Sequence, residues 1–293
     1  MKRHFYQLDV FTHKPLAGNA LAVITDGDGL TSRQMQAIAR EMNLAETVFV
    51  QKPTGNRALA RLRIFTTKTE LPLAGHPVIG TWFLLAQLGV VPAQEGGVHV
   101  LQQTGAGVLP VEIAFQDARP VRVAMTQKPA EFRAARIDRA ALARALSLNA
   151  RDLDSSLPLE FVSTGIFNLM VPIKGRSALR RIEANPPALR SVLRESGTVA
   201  YCFTSENKNT VFARGMLPWE LGEDPATGSA AGSLGAFLVH QARLKLATPL
   251  EIHQGVEMQR PSRIRVEVLA QHGKLVPRVS GAAVTIMEGV LEI

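Results

Sequence analysis

The sequence predicts a mixed α and β protein built from two similar halves, and three observations lead there. Segments with strand-like alternation outnumber helical segments along the whole chain. Two long apolar segments, "HPVIGTWFLLAQ" and "SAAGSLGAFLVHQ", read as helices without a single Asp, Glu, Lys or Arg. Near residue 120 the pattern restarts, and the second half echoes the first.

Residues 4–11 alternate like a strand, and "GNALAVI" turns at Gly18-Asn19 into a second one. "LTSRQMQAIAREMN" reads as a helix. Thr31 and Gln34 have capping-box spacing, and Met35, Ile38, Ala39 and Met42 form its apolar face. "ETVFVQK" and "ALARLRIFTT" are strands. In "ELPLAGHPVIGTWFLLAQLG", Pro77 suits the first residue of a helix and Gly89 its stop. Val78, Ile79, Trp82, Phe83, Leu84 and Leu85 cover nearly every face, so this helix should be buried. "GGVHVLQQTGAGVLPVEIAF" and "PVRVAMTQ" read as strands with turns between them.

In the second half "DRAALARALSL" and "ALRSVLRESG" are helical, and "FVSTGIFNLMVPI" is a strand-like run. "VAYCFTS" and "NTVFARGML" are strands. After "GEDPATGSAAGSLGAFLVHQ" come "PLEIHQGVEM", "RIRVEVLA" and the final "GAAVTIMEGVLEI". In each half a strand ("IFTT" or "VFARG") leads through a Leu, Pro and Glu segment to a Gly-containing turn and an uncharged helix. Gly75-His76 lines up with Gly228-Ser229, and "VIGTWFLL" with "AAGSLGAF".

A chain of 293 residues that is 46% hydrophobic can bury a large core, as one big domain or two of ordinary size. No apolar run reaches the ~18–20 residues of a membrane span. The start, "MKRHFYQLDVFT", enters a strand pattern with no apolar leader, and Cys202 is the single cysteine. Both features point to a cytosolic protein without disulfides. The net charge of +8 reads as a solvated surface, or as a field that draws anionic small molecules. Aromatics make up 5% and no basic block is interleaved with them, which argues against nucleic acid as a partner. The basic segments "RAARIDRAALARAL" and "GRSALRRIEANPPALRSVLRES" read as amphipathic helices.

Known motifs do not account for "GEDPATGSAAGSL". It lacks the Lys of a phosphate loop, and "GSAAG" is not a nucleophile elbow. "GAG" at 105–107 precedes a strand, so no dinucleotide fingerprint is present, and the histidines lack metal-ligand spacing. What remains is a helix beginning at Ser229 with no acidic residue in its first turn, matched by the helix at 77–88. Such N-termini carry unpaired N–H groups and partial positive charge that an external carboxylate or phosphate can answer. The plainer reading of Gly75, Gly228 and Ser229 is a pair of turn glycines and an N-cap. Glu46, in "NLAETVFV", is a carboxylate in an apolar setting. Desolvation there would suit it to acid/base work, and a solvent-facing strand start is the alternative. His76 and Asp224 adjoin the two turns and could relay a proton or act as acid; Asp224 also fits a simple turn before Pro225.

Together these residues resemble the PhzF family of phenazine-biosynthesis isomerase-like proteins. The matching elements are "VFT…GNALAVI", "NLAETVFV", "ELPLAGHPVIGT", "STGIFNLMVPI", "EDPATGSAAG", "HQG…RPS" and "VSGAAVTIMEG", in order over almost the full chain. The resemblance implies an α+β, diaminopimelate-epimerase-like fold. It would have two pseudo-symmetric domains, each a sheet wrapped around a central helix, with the active site in the cleft between them. It places the first domain at 1–120, with the strand 282–293 crossing back to it, and the second at 121–281. The epimerase relatives use two facing cysteines, whereas this chain carries Gly75-His76 and Gly228-Ser229 there. The resemblance therefore assigns acid/base roles to Glu46, His76 and Asp224, and substrate binding to Asn19, Gly75, Gly228 and Ser229. It implies a small carboxylate substrate, a homodimer, and no metal or organic cofactor. An amino-acid-type epimerase and a non-catalytic anion binder are the alternatives.

Overall fold

The structure is a computed structural model that describes residues 2–194, 199–219 and 222–293. The chain forms two compact units, one from residues up to Met125 together with Ser280–Ile293, the other from Thr126–Val279.

The first unit holds β1 (Lys2–Val10), β2 (Asn19–Ile24), α1 (Ser32–Met42), β3 (Glu46–Gln51), β4 (Ala60–Phe65), β5 (Glu70–Leu71), α2 (Gly75–Gln87), β6 (Val98–Thr104), β7 (Gly107–Gln116), β8 (Arg119–Thr126) and the last strand, β18 (Ala283–Glu292). Backbone pairing gives the order β18-β1-β2-β3-β4-β6-β7-β8. The β2–β3 and β4–β6 pairs are parallel and the others antiparallel. Helix α1 starts at Thr31, whose hydroxyl accepts from the Gln34 N–H while the Gln34 side chain accepts from Thr31. It ends on Asn43 in the left-handed region, which aims the chain into β3. Met35, Ile38 and Ala39 pack on Ile24, Phe49 and Phe65, the two rings edge to face.

Helix α2 lies against β1, β2, β3, β7 and β18, so the sheet wraps around it. Every residue from His76 to Ala86 is buried, as its all-round apolar surface requires. Each fully buried large side chain contributes about 1.5–3 kcal/mol. The Trp82 indole N–H is satisfied by Gln102 Oε1 at 2.8 Å.

The second unit holds β9 (Glu131–Ala134), α3 (Arg139–Ala145), β10 (Glu160–Ser163), β11 (Phe167–Pro172), α4 (Gly175–Arg180), α5 (Pro186–Leu193), β12 (Ala200–Ser205), β13 (Thr210–Leu217), β14 (Gly222–Asp224), α6 (Gly228–His240), β15 (Leu250–Gln254), β16 (Ser262–Gln271) and β17 (Lys274–Gly281). Its strand order is β9-β10-β11-β12-β13-β15-β16, with β14 added to β13. The β11–β12 and β13–β15 pairs are parallel. From β10 onward this repeats the first unit step for step. An antiparallel pair, a parallel strand and an antiparallel strand lead to a short added strand, a 13-residue helix and a parallel strand. Helix α6 packs on β10, β11 and β16, while α3, α4 and α5 share a separate core with the sheet.

Several boundaries differ from the pattern reading. Helix α2 begins at Gly75, two residues before Pro77, and α6 begins at Gly228 rather than Ser229. Proline has no N–H to give but its φ suits any position in the first turn. Aligning the helix starts pairs Gly80 with Ser233, so the "VIGTWFLL" and "AAGSLGAF" match shifts by one residue. The run 161–173 is a hairpin rather than one strand, turning at Gly165 with φ +150. The basic segment 175–196 is broken into α4 and α5 before Pro186-Pro187, because a residue preceding proline is pushed out of the helical region. The helix expected over 188–197 is described as far as Leu193; residues 195–197 lie outside the described residues.

Candidate active site

Each unit presents one glycine turn leading into its central helix. Helix α2 is preceded by Ala74 and α6 by Thr227. Neither cap makes a side-chain hydrogen bond to its helix, and neither first turn holds an acidic residue. The partial positive charge at these ends is thus left for something outside the helix.

In the first unit Glu46 opens β3, opposite Leu21 on β2. His76 is the second residue of α2. The two side chains meet, with His76 Nε2 3.4 Å from Glu46 Oε2. The imidazole is 7% exposed and the carboxylate 17%, so the solvent-facing alternative for Glu46 is excluded. Their sequence separation is 30 residues. The sheet closes it because β2 and β3, paired side by side, both pass against the helix. A half-buried carboxylate beside an imidazole can take up and release a proton, and a 3.4 Å approach leaves room to tighten around a substrate.

Asn19 begins β2 and is 3% exposed, at the end of a loop with unusual backbone. Phe11 and Leu16 both have φ near +63, and Gly18 has φ +62. A Cβ on Gly18 would stand 2.2 Å from the Val10 carbonyl oxygen, so only glycine fits. Asp9, fully buried on β1, accepts from the Leu16 N–H at 2.7 Å and shapes this loop. Strain of this kind costs of order 1–3 kcal/mol per residue and gathers at functional sites.

In the second unit Asp224 ends β14, and Thr227 Oγ1 donates to its Oδ2 at 2.6 Å. Behind this turn sits a buried polar cluster that pattern reading missed. Gln254 on β15 contacts the Asp224 carbonyl at 2.7 Å, Thr227 Oγ1 at 2.9 Å and Thr227 N at 3.1 Å. Tyr201 on β12 reaches Gln254 Oε1 at 2.8 Å, and Ser262 Oγ donates to the Pro225 carbonyl at 2.9 Å. Burial, and then the charge of Asp224, hold the Tyr201 phenol well above its ordinary range. The signal for Gln254 and Ser262 was present in "HQG…RPS", but nothing local ties those residues to Asp224.

Around Gly228 and Ser229, Gln127 Nε2 donates to the Gly228 carbonyl at 3.0 Å and Thr164 Oγ1 to the Ser229 carbonyl at 3.4 Å. Both use carbonyls, so the N–H side of the turn is not consumed by them. The lone thiol stands elsewhere. Cys202 is fully buried on β12, and burial pushes it up to about 12 against the opposing influence of Arg214. Among the described residues no group of three or more His, Cys, Asp or Glu side chains could hold a metal ion, and no helix is long and apolar enough to cross a membrane.

The phenazine biosynthesis-like protein family, PhzC-PhzF, matches residues 8–289. This chain belongs to that family. A relative named as an uncharacterized isomerase of Mesorhizobium japonicum is 36% identical over 99% of both chains. The trans-2,3-dihydro-3-hydroxyanthranilate isomerase of Pseudomonas chlororaphis is 33% identical, covering 98% of this chain and 99% of its own. Among solved structures, the PhzF-family phenazine biosynthesis protein of Bacillus anthracis superposes with a TM-score of 0.90, at 29% identity over 100% of both chains. A hydroxyproline epimerase from Agrobacterium vitis matches at TM-score 0.69 and 12% identity, over 99% of this chain and 92% of its own, which places the PhzF fold with the epimerases. The chain is thus an enzyme of an isomerase family with an epimerase-like α+β fold.

Proposed function

We propose that this PhzF-family enzyme is a cofactor-independent isomerase that moves a proton within a small carboxylate, with Glu46 as general acid and base. The Glu46–His76 contact carries the reading. It sets a half-buried carboxylate beside an imidazole at the bare N-terminus of α2. Glu46 takes a proton from carbon next to an unsaturated or carboxylated centre. The C–H electron pair becomes part of a new double bond as the old one shifts. Glu46 then returns the proton at another carbon on the same face, so no electrons or atoms are gained or lost. His76 and Asp224 assist as proton relay and acid. The backbone N–H groups at Gly75, Gly228 and Ser229, with Asn19, hold the carboxylate and stabilise the charge that builds on it.

The named relatives support a dihydro-hydroxyanthranilate-like substrate as the first probe. The test is deuterium uptake into that compound from heavy water. Glu46→Gln should abolish uptake while keeping binding, and uptake that survives the change sinks the assignment. A two-thiol epimerase is disfavoured, since His76 and Ser229 stand at the turns and Cys202 lies buried in a strand. Binding of the probe without any exchange in the wild type would favour the anion-binder alternative. A homodimer in the cytosol completes the reading, and sedimentation equilibrium checks the first part.

A further inference from the structure

The buried cluster behind Asp224 has a direction, and the backbone sets it. The Thr227 N–H can only donate, so the Gln254 side-chain oxygen must face it, at 3.1 Å. The Asp224 main-chain carbonyl can only accept, so the Gln254 side-chain nitrogen must face it, at 2.7 Å. Both ends therefore agree on the orientation of the amide. The same nitrogen lies 2.9 Å from Thr227 Oγ1. An amide nitrogen has no lone pair to offer, so the hydroxyl accepts there. Its one hydrogen is then left for Asp224 Oδ2, 2.6 Å away. The Tyr201 phenol meets Gln254 Oε1, a pure acceptor, and must donate to it. Gln254 and Tyr201 are fully buried and Thr227 is 8% exposed, so water cannot scramble the pattern.

We propose that Gln254 and Thr227 are positioning residues: they hold Asp224 Oδ2 as a permanent acceptor and so assign any carboxyl proton of Asp224 to Oδ1. The proposal rests on the reading of Asp224 as an acid and names the oxygen from which it works. A proton delivered from a fixed oxygen has a fixed trajectory, which a freely rotating carboxyl lacks. The Thr227 donor also favours the ionised carboxylate. Among the described residues, the ionisable groups around this turn include Tyr201 on β12, Glu223 on the same strand, and Arg214 on β13, whose charge Glu223 answers and which also feels Glu257 and Cys202.

The test needs no substrate. Aspartate is labelled with 13C at Cγ, the Asp224 signal is assigned by its loss in Asp224→Asn, and it is titrated in wild type, Thr227→Val and Thr227→Ser. Thr227→Val should raise the midpoint by about one unit, a tenfold gain in proton affinity, and Thr227→Ser should keep the wild-type value. Equal midpoints in wild type and Thr227→Val, or an equal rise in both variants, would overturn the proposal. Should Thr227→Val fail to fold, the wild type decides alone. Its Thr227 hydroxyl proton should give a resolved, slowly exchanging signal at pH 7, coupled to the Asp224 carboxyl carbon. A fast-exchanging hydroxyl without that coupling would refute it. Turnover by Asp224→Asn tests the acid role separately, so the two readings fail independently.

Discussion

Arg214→Met should be among the most damaging single substitutions outside the substrate-binding residues. The guanidinium is 9% exposed and makes a two-point contact with Glu223, at 2.9 Å and 2.7 Å. Its remaining nitrogen donates to the carbonyls of Leu179 and Ile182, at 3.1 Å and 2.9 Å, at the end of α4. Removing it strands a carboxylate that is only 15% exposed, one residue before Asp224. Breaking a buried pair on one side costs about 3–5 kcal/mol. At about 2–4 °C per kcal/mol, the melting temperature should fall by roughly 6–20 °C. Arg214→Met with Glu223→Met removes both charges and should recover most of the loss. About 1–2 kcal/mol would remain for the helix-end carbonyls left without a donor. Thermal melts of wild type, both single variants and the double variant at pH 7 complete the cycle. A single-variant cost under about 1 kcal/mol, or a double variant as unstable as the sum of the singles, would refute the reasoning.

Other predictions follow from packing, burial and charge. Gly80 on α2 leaves no room for a Cβ, which would stand 2.6 Å from both Leu21 Cδ2 and Val10 Cγ2, each fully buried. Gly80→Ala should cost about 1–2 kcal/mol, overpacking outweighing the gain in helix propensity, and a raised melting temperature would contradict the clamped-helix view. Gly55→Ala, with nothing within 4 Å, is the control and should be neutral. Cys202 should resist thiol reagents in the folded enzyme at pH 8, and Cys202→Ala should keep its deuterium exchange; loss of exchange would reopen thiol chemistry. Glu267 is pushed up by burial, but hydrogen bonds from Arg278 and Arg265 outweigh this and hold it below the usual range. A depressed folded value means its stabilisation is present above the unfolded value, near 4.5, and is lost as pH falls through the folded one. The cost of Glu267→Gln in urea melts should therefore be full at pH 7 and fade below about pH 4; a pH-independent cost would contradict the pairing.

Local chemistry made a good part of the molecule legible. The Thr31 capping box, the apolar faces of α1 and α2, and the alternation of most strands depend on neighbours a few residues apart, and they formed as the pattern required. The repeat was visible too, because both central helices lack charge all round and must be buried inside a sheet. The bare helix ends followed from the absence of any acidic residue in either first turn. Alternation cannot distinguish a hairpin from one long strand when both strands are buried on both faces. That is why 161–173 read as a single run.

What the sequence by itself determined is therefore the family, the repeated α+β plan and the identity of the residues at the two turns. Only the tertiary structure decided which side chains meet. It brought Glu46 to within 3.4 Å of His76, joined Arg214 to Glu223 and the end of α4, and set Gln254 behind Asp224. Periodicity reports which face a residue occupies, because burial is averaged over many neighbours. A hydrogen bond depends on a few tenths of an ångström and on lone pairs supplied by strands far apart in the chain, so its partner and direction appear only once the sheet is closed.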